Sequence, residues 1–154
     1  MTINELKIKL KPNTKILINN EKYTILQHIV WWQAKLNKTY DKYVLEDENG
    51  SNKIRMFIAG KYIGIAEIIE HDFQEPLPKN LKFQKKQYKM VQDEFCIIKE
   101  CEGQPFYKVG DCEIWWDYQS IDEDTGLSLG RDWQTWKRED LETREIKLDS
   151  IKII

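Results

Sequence analysis

The chain has 154 residues, 24 basic and 26 acidic, with 41% hydrophobic and 32% charged side chains and a formal charge of -2. This is the balance of a folded globular domain, and it excludes a disordered polar tract and a strongly basic nucleic-acid-binding field. No apolar run is long enough for a membrane-spanning helix, and "MTINELKIKLKP" holds no signal-peptide core, so a cytoplasmic location is expected. Three cysteines, Cys96, Cys101 and Cys112, do not resemble a secreted disulfide framework. No nearby histidine completes a metal set, so they read as free thiols.

In chain order, "TKILI" (14–18) is a short β-branched strand and "NNE" (19–21) a turn. "KYTILQHIVWW" (22–32) alternates, with Tyr23, Ile25 and Gln27 on one face. "NKTYDKYVLEDE" (37–48) leads into "NGSN" (49–52), a hairpin signal. "KIRMFIAGKYIGIAEII" (53–69) reads as two strands punctuated at Gly60. "EHDFQEPLPKN" (70–80) carries two of the four prolines and reads as a link between halves. Strands follow around Tyr88 and Phe95, then at "CEIWWDYQSI" (112–121) after turn signals at Gly103, Pro105 and Gly110. "DEDTG" (122–126) is a turn and "LSLGRDWQTWKRE" (127–139) another strand. "EDLETREI" (139–146) suits one or two helical turns, and "IKLDSIKII" (146–154) closes as a strand.

Helical periodicity is scarce, and turns recur about every ten residues, so the expected fold is all-β (mainly β). "ILINNEKYTIL" (16–26) lies over "LKFQKKQYKMV" (81–91), and "YVLEDENGSNKIRMFI" (43–58) over "WDYQSIDEDTGLSLGRDW" (116–133). The expectation is one compact domain, 1–154, with repeat halves 14–70 and 80–154. Two similar small β-units would pack as a sandwich or as partly open barrels, with at most a short helix near the C-terminus. In "IVWWQA" and "EIWWDY" a strand sends one indole of each pair to either face.

"LINNEKYTIL", "YDKYVLEDENG", "EGQPFYKVGD", "DYQS" and "GLSLG" together resemble the bacterial domain-of-unknown-function family 4178. The match rests on Tyr40, Tyr43 and Leu45; on Gly103, Phe106 or Tyr107, Gly110 and Asp111; on Asp117 and Tyr118; and on Leu127 and Ser128. It spans roughly residues 14 to 140. Lys42, Gln104 and Gly130 stand where the family pattern has acids, so carboxylates of any shared activity would be missing there. The resemblance implies no established reaction; its context is bacterial operons for membrane stress and polyamine metabolism.

Catalytic motifs are absent. His28 sits in a strand without an acid neighbour, His71 begins the link beside Asp72, and no nucleophile elbow or phosphate loop occurs. No catalytic residue, metal ligand or cofactor is therefore assigned, and an enzyme is disfavoured. "KFQKKQYK" (82–89) mixes lysines with aromatics, but in this acidic chain it reads as an edge strand guarded by charge rather than a nucleic-acid platform. Binding is the favoured role. Trp116 and Tyr118 share one strand face, Trp115 and Asp117 the other, and Trp133 and Trp136 add rings downstream. A carboxylate beside an indole suits a positive group. The binding candidates are Trp32, Trp116, Asp117, Tyr118, Trp133 and Trp136. The expected partner is another protein or a second copy, as for an adaptor module; the alternative is a small cationic, polyamine-like ligand.

Overall fold

Alternating apolar and polar residues drive most of this chain into strands. The computed structural model, which describes all 154 residues, joins eleven of them in one antiparallel sheet. The first half supplies β1 (Lys15–Ile18), β2 (Glu21–Gln33), β3 (Lys38–Asp47), β4 (Ile54–Ala59) and β5 (Tyr62–Ile68). The second supplies β6 (Asn80–Phe83), β7 (Lys86–Gly103), β8 (Cys112–Ser120), β9 (Gly126–Asp132) and β10 (Arg138–Glu145), and β11 (Ile151–Ile153) ends the chain. Pairing runs β2-β3-β4-β5-β10-β9-β8-β7, and β7 returns to β2, so eight strands close into a barrel. Closure removes the open edges among these eight. β1 with β11, and β6 alone, extend the sheet outside the closed ring. The mainly-β expectation holds, in the form of one closed barrel to which each half contributes four strands. No helix is long and apolar enough to cross a membrane.

The period of two sorts side chains into four cores, one of them formed by Leu26, Ile29, Val44, Ile98 and Tyr107. Trp31, Ala66, Cys96, Trp115 and Leu141 meet in the middle of the lumen. On the outer face of β3 to β5, Tyr43, Leu45, Met56, Ile58, Ile63 and Ile65 are covered by Ile16 and Ile18 of β1, Ile151 of β11, and Leu6 and Leu10. Leu6 belongs to α1 (Ile3–Lys9), a seven-residue helix closed by a Thr2/Glu5 capping box. On the opposite wall, Tyr88, Tyr118, Leu127 and Leu129 pack under Leu81 of β6 and under Phe73 and Leu77 of the link. Full burial of each large aliphatic or aromatic side chain stabilises by about 1.5–3 kcal/mol. The strand's two faces therefore both carry folding energy, and this accommodates indoles pointing both ways.

Three local expectations change. The face shared by Tyr23, Ile25 and Gln27 is broken by a bulge between Ile25 and Gln27. Tyr23 and Ile25 join the outer core, whereas Gln27 turns inward to exchange two hydrogen bonds with the Tyr107 backbone. The segment 139–146 is strand as far as Glu145, not helix, because β10 is paired on both sides, with β5 and β9, and Leu141 fills the lumen. Tertiary pairing overrides the helix propensity of its Glu, Leu and Arg residues. The strand foreseen over 127–139 stops at Asp132, whose carboxylate accepts from the Gln134 and Thr135 amides and forms the turn into β10. A 3₁₀ turn at Leu148–Ser150 lies near the C-terminus, and α1 opens the chain where no element was foreseen.

The barrel's seams are arranged symmetrically. Across β2–β7, Trp31 faces Ile98 and Gln33 faces Cys96, on either side of the Trp32–Ile97 pair. Across β5–β10, Ala66 faces Thr143 and Ile68 faces Leu141, on either side of Glu67–Glu142. The β1–β2 turn uses left-handed Asn19 and Asn20 (φ 50° and 67°), and the β6–β7 turn left-handed Gln84 and Lys85 (φ 48° and 68°). β7 is bulged against β8 between Met90 and Gln92.

Candidate functional site

An eight-stranded barrel has room inside for side chains or for one small ligand. Here the indoles decide how that space is divided. Trp31 and Trp115 both point inward and meet edge to face, with ring centroids 6.1 Å apart at 89°. Trp115 lies so close to Gly130 that a β-carbon there would sit 2.3 Å from the ring. Glycine at this lumen position lets a large indole lie against the β9 backbone. The two rings help floor a cavity of about 310 Å³.

The cavity's upper wall comes from residues two further along the same strands: Tyr40 before Lys42 on β3, Ala59 after Phe57 on β4, Asp117 after Trp115 on β8. Tyr62 adds a ring that lies over Gly64, where a β-carbon would come within 2.6 Å of the phenolic oxygen. Five rings therefore surround the space: Trp31, Tyr40, Phe57, Tyr62 and Trp115.

Two carboxyl groups share that space. Asp117 Oδ1 accepts from Ser128 Oγ at 2.8 Å, and Oδ2 accepts from Gln92 Nε2 at 2.9 Å. Glu94 Oε1 accepts from Gln33 Nε2. Burial, and then the neighbouring Asp117, push the Glu94 carboxyl up to about 9. The shift favours the neutral form of Glu94 at neutral pH.

One step deeper on β3, Lys42 is almost wholly buried, with Nζ 4.3 Å from the Tyr107 ring centroid, 4.9 Å from Trp115, 5.5 Å from Phe57 and 5.8 Å from Trp31. Its counter-charge is Glu139 Oε2 at 3.3 Å. Glu139 also accepts from Arg55 Nε at 2.9 Å and from the Tyr107 hydroxyl. The lumen therefore already houses one ammonium among rings, built into the chain itself. Beyond it a second opening of about 400 Å³ is lined by Arg55, Glu113, Asp132, Arg138 and Glu139. Burial raises the Glu113 carboxyl there.

The six residues singled out from sequence separate in space. Asp117 reaches the cavity with its carboxylate. Tyr118 borders the cavity but sends its hydroxyl outward to the Pro78 carbonyl at 2.6 Å, and Trp116 packs in the same outer core beneath the link. Trp32 points out of the barrel, donates to Asn37 Oδ1 at 2.8 Å and carries Lys99 Nζ 5.3 Å above its ring. Trp133 and Trp136 stand 52% and 60% exposed around the β9–β10 turn, with the Arg131 guanidinium 5.5 Å and 3.6 Å from their rings.

Sequence reasoning missed Glu94, Tyr40, Phe57, Tyr62 and Lys42. Trp115 was legible as Asp117's face-mate, but Glu94 reaches them only because the bulge between Met90 and Gln92 sets it opposite Trp115. The histidines also gained partners that lie far away in sequence. His28 Nε2 is 2.7 Å from Asp41 Oδ1 and stacks on Tyr43, and His71 Nε2 is 3.0 Å from Asp140 Oδ2. The three cysteines are free.

No family model, no curated protein and no solved structure matches this chain.

Proposed function

We propose that the protein is a non-enzymatic binding module whose barrel lumen takes one small organic cation. The observation that carries this reading is the juxtaposition of five rings with the Glu94–Asp117 pair in one cavity. Ring faces and carboxylates both favour positive charge, and the cavity is the size of a small-ligand site. Polyamine-like and simple alkylammonium ions fit this chemistry. The test is intrinsic tryptophan fluorescence and melting temperature on titration with n-butylammonium, spermidine and neutral n-butanol at low salt. The amines are expected to change emission from Trp31 and Trp115 and to raise the melting temperature. Asp117→Asn is expected to weaken both effects. A butanol response equal to that of the amines, or silence with all three, overturns the reading.

A second reading rests on a different surface. Trp136 is exposed and held at φ 65°, an uncommon conformation for a bulky residue, while its ring stacks on Arg131. Displayed aromatics of this kind suit a protein partner or self-association, as in an adaptor. Trp136→Ser is expected to abolish any self-association seen by sedimentation without touching amine binding.

The two halves, 14–70 and 80–154, are further proposed to be copies of one β-unit, and the chain to be related to the family 4178 domains it resembles. Matched turns, matched bulges and the symmetric seams support the duplication.

A further inference from the structure

We infer that the second opening of the barrel is a binding site of its own, which takes a small amino carboxylate with its ammonium inward and its carboxylate outward. This goes beyond the cation reading, which concerns the other end of the lumen.

Strand alternation separates the two ends. Glu113, Trp115 and Asp117 share the inward face of β8. Asp117 lines the ring-walled cavity, Glu113 lines the opening of about 400 Å³, and Trp115 lies between them, packed with Trp31 and Leu141. The neighbouring strands divide in the same way: Phe57 of β4 and Thr143 of β10 line the first space, Arg55 and Glu139 the second. The two spaces share no lining residue.

The inward half of the site is Glu113. It is 6% exposed, and its Oε1 has no hydrogen-bond partner. The Trp115 indole N–H, two residues along, is unpartnered as well, so neither satisfies the other. The buried cations Lys42 and Arg55 both pair with Glu139 instead, at 3.3 Å and 2.9 Å. Buried carboxyl oxygens nearly always hold a donor, and an ammonium entering the opening brings three.

The outward half is basic. Arg55 and Arg138 of the lining are already taken, by Glu139 at 2.9 Å and by Asp140 at 2.8 Å. Asp111 accepts from the Lys108 amide at 3.0 Å, and Asp132 from the Gln134 and Thr135 amides. Lys108 and Lys137 are exposed, and neither ammonium has an acidic partner. An unpaired carboxyl thus lies inside and two unpaired ammoniums at the mouth. A simple cation answers only the first and a simple anion only the second; a molecule carrying both charges answers both.

The experiment is isothermal titration of the full chain with glycine, β-alanine and γ-aminobutyrate, with n-butylammonium and n-butyrate as single-charge controls. At least one amino carboxylate is expected to bind, shifting amide NMR signals around Glu113, Asp132 and Lys137. The single-charge controls should bind this end at least about tenfold more weakly. Glu113→Gln should weaken binding by about tenfold or more. The surface variant Lys108→Ser/Lys137→Ser leaves the core intact and should weaken it by about threefold at low salt and less at high salt. Asp117→Asn should leave amino carboxylate binding unchanged while weakening amine binding in the lumen. Silence with all three amino carboxylates, or an affinity unmoved by both the Glu113 and the lysine variants, overturns the site. So does loss of binding in Asp117→Asn, which assigns the ligand to the lumen. n-Butylammonium binding at Glu113 as tightly as γ-aminobutyrate overturns the selection for both charges. Failure of amines in the lumen, with amino carboxylate binding retained, removes the cation reading alone and supports the second site.

Discussion

Gly130→Ala tests whether the lumen is packed as described. The backbone at this position is not left-handed, so the added methyl meets only sterics. Its carbon would lie 2.3 Å, 2.5 Å and 2.7 Å from three atoms of the Trp115 ring. Trp115 is 1% exposed and is held edge-on by Trp31, so it cannot swing clear. Overpacking of this kind costs about 1–3 kcal/mol. The loss of glycine's freedom in the unfolded chain returns about 0.4–1 kcal/mol. The net destabilisation is about 1–2 kcal/mol, a fall of roughly 2–8 °C in melting temperature for a chain of this size. Thermal melts followed by near-ultraviolet circular dichroism measure it. Gly64→Ala is the control: its β-carbon meets only the outer ring atoms of Tyr62, a side chain 39% exposed and free to swing outward, so its cost should be smaller. Combining Gly130→Ala with Trp115→Leu should recover part of the loss, as a double-mutant cycle of touching residues does. A Gly130→Ala protein as stable as the parent would refute the placement of Trp115 against β9.

Glu94 makes stability pH-dependent. Its carboxyl is raised from 4.5 to about 9, so between those values the folded state holds more protons than the unfolded one. Its contribution is present below the unfolded value and is lost as pH rises through the window; urea midpoints at pH 5, 7 and 9 should fall more steeply for the parent than for Glu94→Gln. Gln27→Ala removes both hydrogen bonds to the Tyr107 backbone and should cost about 1–3 kcal/mol, with faster hydrogen exchange at the Tyr107 amide. Glu139→Ala leaves Lys42 and Arg55 buried without their carboxylate and should cost about 3–5 kcal/mol by urea unfolding. Asp93→Ala breaks only the exposed pair with Lys35 and should cost less than about 1 kcal/mol.

Local chemistry made much of this barrel legible before its shape was known. Alternation in "EIWWDY" places Trp115 with Asp117 and Trp116 with Tyr118, and the closed sheet keeps that division. The Asn-Gly turn before β4, the break at Gly60 and the proline-rich link also follow from backbone preferences acting over a few residues. Each of these signals is contained in the segment that obeys it. The strand at 139–145 was not legible, because its pairing partners lie on two other strands and outweigh its helical composition. The face of Gln27 was not legible either, since one bulged residue inverts every side chain beyond it. The cavity depends on both kinds of non-local fact. Its rings and acids come from strands separated by up to about a hundred residues, and closure of β2 on β7 together with the bulge before Gln92 brings Glu94, Asp117 and the inward indoles to one place. Side-chain alternation along a strand is a local property of the backbone, whereas register between strands is set by the summed packing of the whole sheet.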